Sequence, residues 1–168
     1  MRLAIALFAL LLVSMPTAEA NDTDLERKSL RGLKDITVGF VRVPTELRQY
    51  EPALETDIQT AAELKLRLAG IKVLSAAEVG NGAGSGVILN ISINAFPTND
   101  GNWPVSVQVG VLQVVRLDRD ASIFSYGETW GVYRIGRAQR SNLRSVRDTV
   151  NDMVDQFINA YLSVNPKK

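Results

Sequence analysis

Three alternating segments separated by short turn sequences constrain the fold of this 168-residue chain more than any other feature. Residues 87–96 place aliphatic side chains on one side and mainly asparagine and serine on the other. Residues 105–117 and 122–135 follow, after turn signals at Asp100-Gly101 and at residues 118–121. A strand with one apolar and one polar face is typical of an antiparallel sheet with one solvated side. The pattern therefore predicts an antiparallel meander with one face open to water.

The residues before the meander predict a strand, a helix and a second, short strand. Residues 35–43 alternate as a strand does, and residues 54–69 carry an apolar stripe at helical spacing that ends at Gly70. Residues 71–74 then form the second strand, which makes a βαβ unit with short connections. Residues 75–78 match a capping box and predict one short helical turn.

The C-terminal segment predicts a long amphipathic helix. Residues 142–163 carry apolar side chains at i, i+3 and i+4, either Ser141 or Asn142 can cap the start, and Asn165-Pro166 ends the helix. The predicted order is β-α-β-β-β-β-α. We expect an α+β two-layer sandwich, in which two helices cover one face of a five-stranded mixed sheet.

The first twenty residues are typical of a secretory signal peptide. Arg2 supplies the positive start, and residues 3–13 form an apolar run that is too short to span a bilayer as a helix. Ala18-Glu19-Ala20 matches a signal-peptidase site. We expect a signal peptide over residues 1–20, an N-terminal arm over residues 21–34 and one α+β domain over residues 35–166. The protein would be periplasmic or secreted, with no integral membrane segment after cleavage.

The chain contains no cysteine and no histidine, which excludes disulfides, thiolate nucleophiles and catalytic triads that use histidine. The formal net charge of +1 argues against nucleic-acid binding. The glycine-rich loop at residues 80–86 leads into a strand rather than a helix, unlike a phosphate-binding loop. Carboxylates could support a hydrolase, but no spacing selects a catalytic pair. We expect no enzyme activity, no cofactor and no metal. A carboxylate hydrolase is kept as the third functional hypothesis, after a partner-binding protein and a ligand-binding domain.

Two parts of the sequence resemble a known group of proteins. Residues 56–59 and 64–74 (LKLRLAGIKVL), with residues 142–148, 154–162 and 164–166, resemble a family of small exported bacterial proteins without an assigned activity. The order of strand and helix around residues 69–74 is also similar to small envelope domains. These are the N-terminal domain of the TolB family and the lipoprotein activators of penicillin-binding proteins. The resemblance implies a partner-binding module, but this chain lacks the lipid-attachment cysteine and receives no catalytic residues from it.

A run of arginines is the first candidate binding surface. Five arginines fall within 14 residues, with no acidic residue between them. They are Arg134, Arg137, Arg140, Arg144 and Arg147. We interpret them as a surface for an envelope partner: an anionic polymer, a lipid surface or an acidic protein. The alternative is local pairing, for example between Arg144 and Asp148 at i, i+4.

The polar side of the predicted meander is the second candidate surface. It suggests a small-ligand or sugar-binding face, to which an exposed tryptophan in the preceding turn would contribute. Its members would be Asn90, Ser92, Asn94, Gln108 and Trp103. Phe124, Tyr126 and Trp130 alternate on one side of the last strand and could either pack in the core or join this face. The leading hypothesis remains a non-enzymatic exported accessory protein, and its oligomeric state is open.

Overall fold

The computed structural model describes residues 22–39 and 41–166 and shows an α+β fold. Its helices are α1 (Asp24–Ser29), α2 (Thr45–Arg48), α3 (Leu54–Leu68), α4 (Ala76–Gly80) and α5 (Arg144–Val164). Its strands are β1 (Thr37–Val38), β2 (Ile88–Ala95), β3 (Asn102–Leu117) and β4 (Asp120–Gln139). The expected signal peptide lies outside the described residues, so it stays a prediction.

The strands form one mixed sheet in the order β1-β2-β3-β4. β1 pairs with β2 in parallel, whereas β2, β3 and β4 pair antiparallel, which confirms the meander. The prediction of five strands is wrong for the described residues. The segment at residues 71–74 contributes only one isolated parallel bridge, between Val73 and Ile36. The reason is local: Ser75 caps α4 directly after this bridge and turns the chain out of the sheet.

Helix α3 ends as its sequence predicts. Gly70 has φ of 84°, a left-handed conformation that favours glycine. The Gly70 amide donates to the Arg67 carbonyl, and the Ile71 amide donates to the Leu66 carbonyl at 2.9 Å. These two bonds make a Schellman motif, and Ile71 is buried against the core. The chain therefore reverses sharply and returns Val73 to the side of Ile36.

The core lies between the sheet and the helices. On β2 the buried face is Leu89, Ile91, Ile93 and Ala95, and on β3 it is Val105, Val107, Val109 and Val111. Helix α5 packs against α3 and β3, and its Phe157 meets Trp130 of β4 edge to face at 5.4 Å. The predicted helical stripe of α5 is therefore its buried face. The predicted N-terminal caps, Ser141 and Asn142, are wrong, because α5 begins at Arg144 and its N-cap residue is Leu143, which makes no side-chain cap.

The segment at residues 22–34 is packed, although the sequence suggested a loose arm. Thr23 and Glu26 form a capping box that starts α1, and Leu30 is fully buried. The Trp130 indole N–H donates to Asp22 Oδ1 at 3.0 Å. The Tyr161 hydroxyl donates to the Leu33 carbonyl at 3.1 Å. These contacts attach α1 to both β4 and α5, and the domain boundary at residue 35 stays a prediction.

Strands β3 and β4 are much longer than β2. The pairing of β2 stops at Leu112, so residues 113–127 form a two-stranded extension that we call the hairpin tip. A bulge lies at its root, because Val111 pairs with Trp130 whereas Leu112 pairs with Glu128. The extra residue changes which face the side chains occupy. Trp130 therefore enters the core, while the more distal aromatics of β4 stay exposed.

Candidate functional site

The structure gathers four of the five residues of the polar sheet face. Asn90, Ser92 and Asn94 of β2 alternate with the buried residues, and Ser92 lies directly opposite Gln108 of β3. The four side chains are on the face opposite to the core, half-buried or exposed. Asn94 donates to the Ser106 hydroxyl at 3.4 Å. This face, with its neighbours on β4, is called the open face below.

The structure contradicts the predicted position of the fifth residue of that set, Trp103. Odd-numbered residues at the start of β3 face the helices, so the Trp103 ring is buried with 3% of its surface exposed. It contacts Tyr50 edge to face at a centroid distance of 5.4 Å. Trp103 therefore closes the end of the core and does not belong to the open face.

A hydrogen-bonded cluster that the sequence did not reveal lies at the centre of the open face. Gln108 Nε2 donates to Glu128 Oε2 at 2.6 Å and to the Tyr133 hydroxyl at 3.0 Å. The Tyr133 hydroxyl in turn donates to Glu128 Oε1. The carboxylate of Glu128 lies over Gly110 and Gly131, where a Cβ at either glycine would collide with it. Gly110 and Gly131 are paired across β3 and β4, which sequence alone could not show before the register was known.

The cluster keeps the Tyr133 phenol protonated. Partial burial, together with the hydrogen bond to the Glu128 carboxylate, raises the pKa of Tyr133 to about 12. Tyr133 is therefore a hydrogen-bond donor throughout the physiological pH range. The carboxyl pKa values that depart from the usual range shift downward, in Asp22, Asp35, Glu78, Asp100 and Asp120. Hydrogen bonds in caps, turns and local pairs explain them, and they indicate no general acid.

Three of the five predicted arginines have local partners. Arg134 pairs with Asp152 at 3.6 Å. Arg147 lies 3.9 Å from both Asp57 and Asp148. Arg140 places its guanidinium 4.3 Å above the ring of Tyr50. The expected pairing of Arg144 with Asp148 is absent from the described residues, because Asp148 faces Arg147 instead. Local pairing therefore accounts for part of the arginine run only.

Arg137 and Arg144 have no acidic or aromatic partner in the part of the chain that the structure describes. Arg137 lines a cleft of about 170 Å³ between β4 and α5, together with Arg134 and Ser145. Arg144 is exposed in the first turn of α5, which carries no acidic residue. The unbonded amides of a helix N-terminus favour anions. We call Arg134, Arg137, Arg144 and the start of α5 the cationic surface.

Comparisons with protein-family models and with curated proteins find no match. Among solved structures, the chain is similar to the PelC dodecamer from Paraburkholderia phytofirmans in one crystal form. The TM-score is 0.42 at 12% identity, over 76% of this chain and 87% of that chain. A point variant of that dodecamer gives a TM-score of 0.45 at 12% identity, over 78% and 90% of the two chains. Likeness this weak supports no conclusion about assembly or activity. The resemblance to exported and TolB-type domains stays a prediction.

Two further observations bear on the kinds of site present. Across residues 22–39 and 41–166, no helix combines the length and apolar character that crossing a membrane requires. Within the same ranges, no three acidic residues come together as ligands for a metal ion. The surfaces that remain for a function are the cationic surface, the open face and the hairpin tip.

Proposed function

We propose that this protein is a non-enzymatic, exported accessory protein whose cationic surface binds an anionic partner in the cell envelope. The observation that carries the proposal is the presence of two arginines, Arg137 and Arg144, without an acidic partner among the described residues. Arg137 lines the cleft between β4 and α5, and Arg144 lies in the first turn of α5, which adds no negative charge.

The chemistry of this surface suits phosphate or carboxylate groups. A guanidinium can donate two parallel hydrogen bonds to such a group, and arginine keeps its charge at all physiological pH values. Ser145 also lines the cleft, but its hydroxyl donates to the Asn142 carbonyl at 2.8 Å, so the guanidiniums are the donors offered to an anion. Because the arginines are exposed, the attraction is electrostatic and should weaken as salt increases.

Charge reversal tests the proposal. The double variant Arg137→Glu with Arg144→Glu is compared with Arg31→Glu with Arg42→Glu, which changes the net charge equally on exposed arginines elsewhere. The probes are phosphatidylglycerol vesicles, phosphatidylcholine vesicles and polygalacturonate, in sedimentation assays at low salt. We expect the first double variant to lose about tenfold or more of its binding to an anionic probe. Equal losses in the two double variants would contradict a local site.

The export part of the proposal rests on the sequence of residues 1–20 and needs a separate measurement. Protein recovered from the periplasm or the medium should begin at Asn21 when its N-terminus is sequenced. A mature protein that keeps Met1, or one that stays in the cytoplasm, would contradict export.

A second candidate function is sugar binding on the open face. The open face offers the amides of Asn90 and Gln108, and the adjoining hairpin tip offers the exposed rings of Phe124 and Tyr126, a combination suited to sugar hydroxyls and ring faces. We expect the double variant Asn90→Ala with Gln108→Ala to lose binding to a neutral oligosaccharide such as chitohexaose, measured by calorimetry. Asn159→Ala, an exposed amide on α5, is the control. No heat of binding for the unchanged protein with such sugars would eliminate this candidate.

A further inference from the structure

Among residues 22–39 and 41–166, nothing pairs with the outer edge of β4 between residues 131 and 139. β4 is the last strand of the sheet, and β3 occupies only one of its sides. The Arg140 amide donates to the carbonyl of Gly101, just before β3. The Phe96 amide, just after β2, donates to the carbonyl of Pro104 in β3. The alternation of an antiparallel ladder then directs the backbone groups of Tyr133, Ile135 and Arg137 away from β3. Within the described residues, none of these outward groups has a hydrogen bond to another element.

This free edge has defined limits. At one end, α1 covers the strand, where the Ser29 hydroxyl donates to the Thr129 carbonyl at 3.1 Å. At the other end, β4 stops at Gln139. The midpoint of residues 131–139 is Ile135, whose side chain is 88% exposed. An uncovered edge strand with an exposed apolar centre is a template for pairing with another strand.

We propose that two copies of this chain pair through antiparallel β4 strands, with the two-fold axis at Ile135. This register uses the whole free edge of both copies. It sets Ile135 against Ile135 and Tyr133 against Arg137 of the second copy. The outward backbone groups of each strand then meet one another as ladder hydrogen bonds, and the two sheets become one.

Charge complementarity selects the same register. The carboxylate of Glu128 covers Gly131 on the open face, next to Tyr133. In the proposed register Arg137 of the second copy lies opposite Tyr133 and therefore diagonally across from Gly131. A long arginine side chain can reach the Glu128 carboxylate over that distance. Neither Glu128 nor Arg137 has an ion-pair partner within the described chain. In the dimer, each Glu128 would lie near Arg137 of the other copy, so the two-fold axis would create two such ion pairs.

A neighbouring register lacks this match. Moving the axis by one residue to Arg134 would set two arginines opposite each other, which is unfavourable. With the axis at Ile135, Arg134 faces Gly136 of the second copy instead. The inference goes beyond the proposed function and shares one residue with it. In the dimer, Arg137 lies near Glu128 of the second copy, so Arg144 and the start of α5 are what remains for the anionic partner, and Arg137→Glu affects both proposals.

A cysteine scan tests the register directly, because the chain has no cysteine of its own. In Ile135→Cys the two Cα atoms would be about 5.5 Å apart, which is within the range of a disulfide. In Gln139→Cys the two copies would be about 26 Å apart along the strands. We expect mild oxidation of protein purified from cells expressing the full chain to cross-link Ile135→Cys rapidly and Gln139→Cys hardly at all. Equal rates would overturn the register.

Sedimentation equilibrium measures the association itself. Ile135→Pro removes an outward donor, and the amide that it loses does not pair with β3, so the dissociation constant should rise about a hundredfold. If this variant unfolds at a lower temperature, Ile135→Lys serves instead, since the side chain is exposed. Glu128→Lys and Arg137→Glu should each weaken the dimer about fivefold, and their combination should restore it. An unchanged protein that is monomeric at high micromolar concentration would overturn the proposal.

The same variants separate this inference from the proposed function. If the unchanged protein is monomeric yet still binds anionic vesicles, only the dimer is contradicted. A dimer that Ile135→Cys cross-links but that binds no anionic probe contradicts only the proposed function.

Discussion

The base and the tip of the β3–β4 hairpin are built from the same kind of alternating sequence, yet only the base is buried. In the base, Val107 and Val109 are almost completely enclosed. In the tip, Val114 and Tyr126 are cross-strand neighbours and are 49% and 55% exposed. The difference is that β2 stops at Leu112, so the tip has no third strand beside it. Alternation thus predicts a strand, whereas burial requires a layer that covers it.

Helix α1 lies at the boundary between these two regions. Gln113 Nε2 donates to the Thr129 hydroxyl at 2.6 Å and to the Ser29 carbonyl at 3.2 Å. The bulge at Thr129 shifts the alternation of β4 by one residue, so that Glu128 lies on the open face and Trp130 on the core face. The base and the tip therefore meet at one cross-strand step, where α1 contacts the end of the base. Substitutions on the two sides of this step should therefore differ in their effect on stability.

Replacing Trp130 in the base should have the largest effect. The ring is 1% exposed, packs on Phe157 and donates to Asp22. We expect Trp130→Ala to lower the free energy of unfolding by about 3–5 kcal/mol, because the cavity cannot be filled by its rigid neighbours. Chemical denaturation measures this loss. A loss similar to that of a substitution in the tip would mean that the base is not the core of the hairpin.

Replacing Gly131 on the open face of the base should have an intermediate effect. A Cβ there would collide with the Glu128 carboxylate, which must leave Tyr133. We expect Gly131→Ala to cost about 1–3 kcal/mol, as overpacked sites do. The pKa of Tyr133, raised to about 12 by burial and Glu128, should fall toward 10 in a spectroscopic titration.

The sign of the Tyr133 contribution follows from that raised pKa. The phenol gives its full stabilisation below about pH 10, and the folded protein should lose it between pH 10 and pH 12. Gly136→Ala is the matched control, since a Cβ at Gly136 meets no atom. If both alanine variants keep the Tyr133 titration unchanged, the Glu128 cluster does not form in solution.

Asp22 ties the start of the chain to the base and should have a smaller effect. Its hydrogen bond with Arg27 lowers the pKa of Asp22, and the Trp130 indole adds to this. We expect Asp22→Asn to cost about 1 kcal/mol at neutral pH. The contribution is present above the ordinary pKa of 3.8 and is lost as pH falls through the lower folded value. The difference between the two proteins, measured by denaturation, should therefore shrink under acid conditions.

Replacing Phe124 in the tip should have the smallest effect. The ring is 65% exposed and lies beyond the end of β2. We expect Phe124→Ala to change the free energy of unfolding by less than about 0.5 kcal/mol. A larger loss in the thermal melt would show that the tip is covered in solution.

The secondary structure could be predicted best where local signals agree. Helix α3 with its Gly70 terminus, the capping box at Ser75 and the stripe of α5 all depend on residues close in sequence. The missing strand at residues 71–74 shows the limit, because the cap at Ser75 competes for the same few residues. Propensity alone cannot say which signal prevails.

The candidate sites could be predicted only in part, since they depend on register. The side of Trp130 follows from one extra residue at Thr129, which an alternating pattern does not disclose. The place of Glu128 over Gly110 and Gly131 likewise needs the cross-strand partners to be known. The ion pairs of the arginines also depend on elements distant in sequence, as the contact of Arg147 with Asp57 of α3 shows.

The parallel pairing of β1 with β2 has a consequence for the order of assembly during folding. Thr37 meets Ile88 only after α2, α3 and α4 have formed the connection between them, whereas β3 and β4 meet across a short turn. Closing the longer loop carries the greater entropic cost, so the meander should form first and β1 should join it late. Thr37 and Gly39, whose amides donate to Val87 and Leu89, should then exchange their protons with water sooner than the centre of β3.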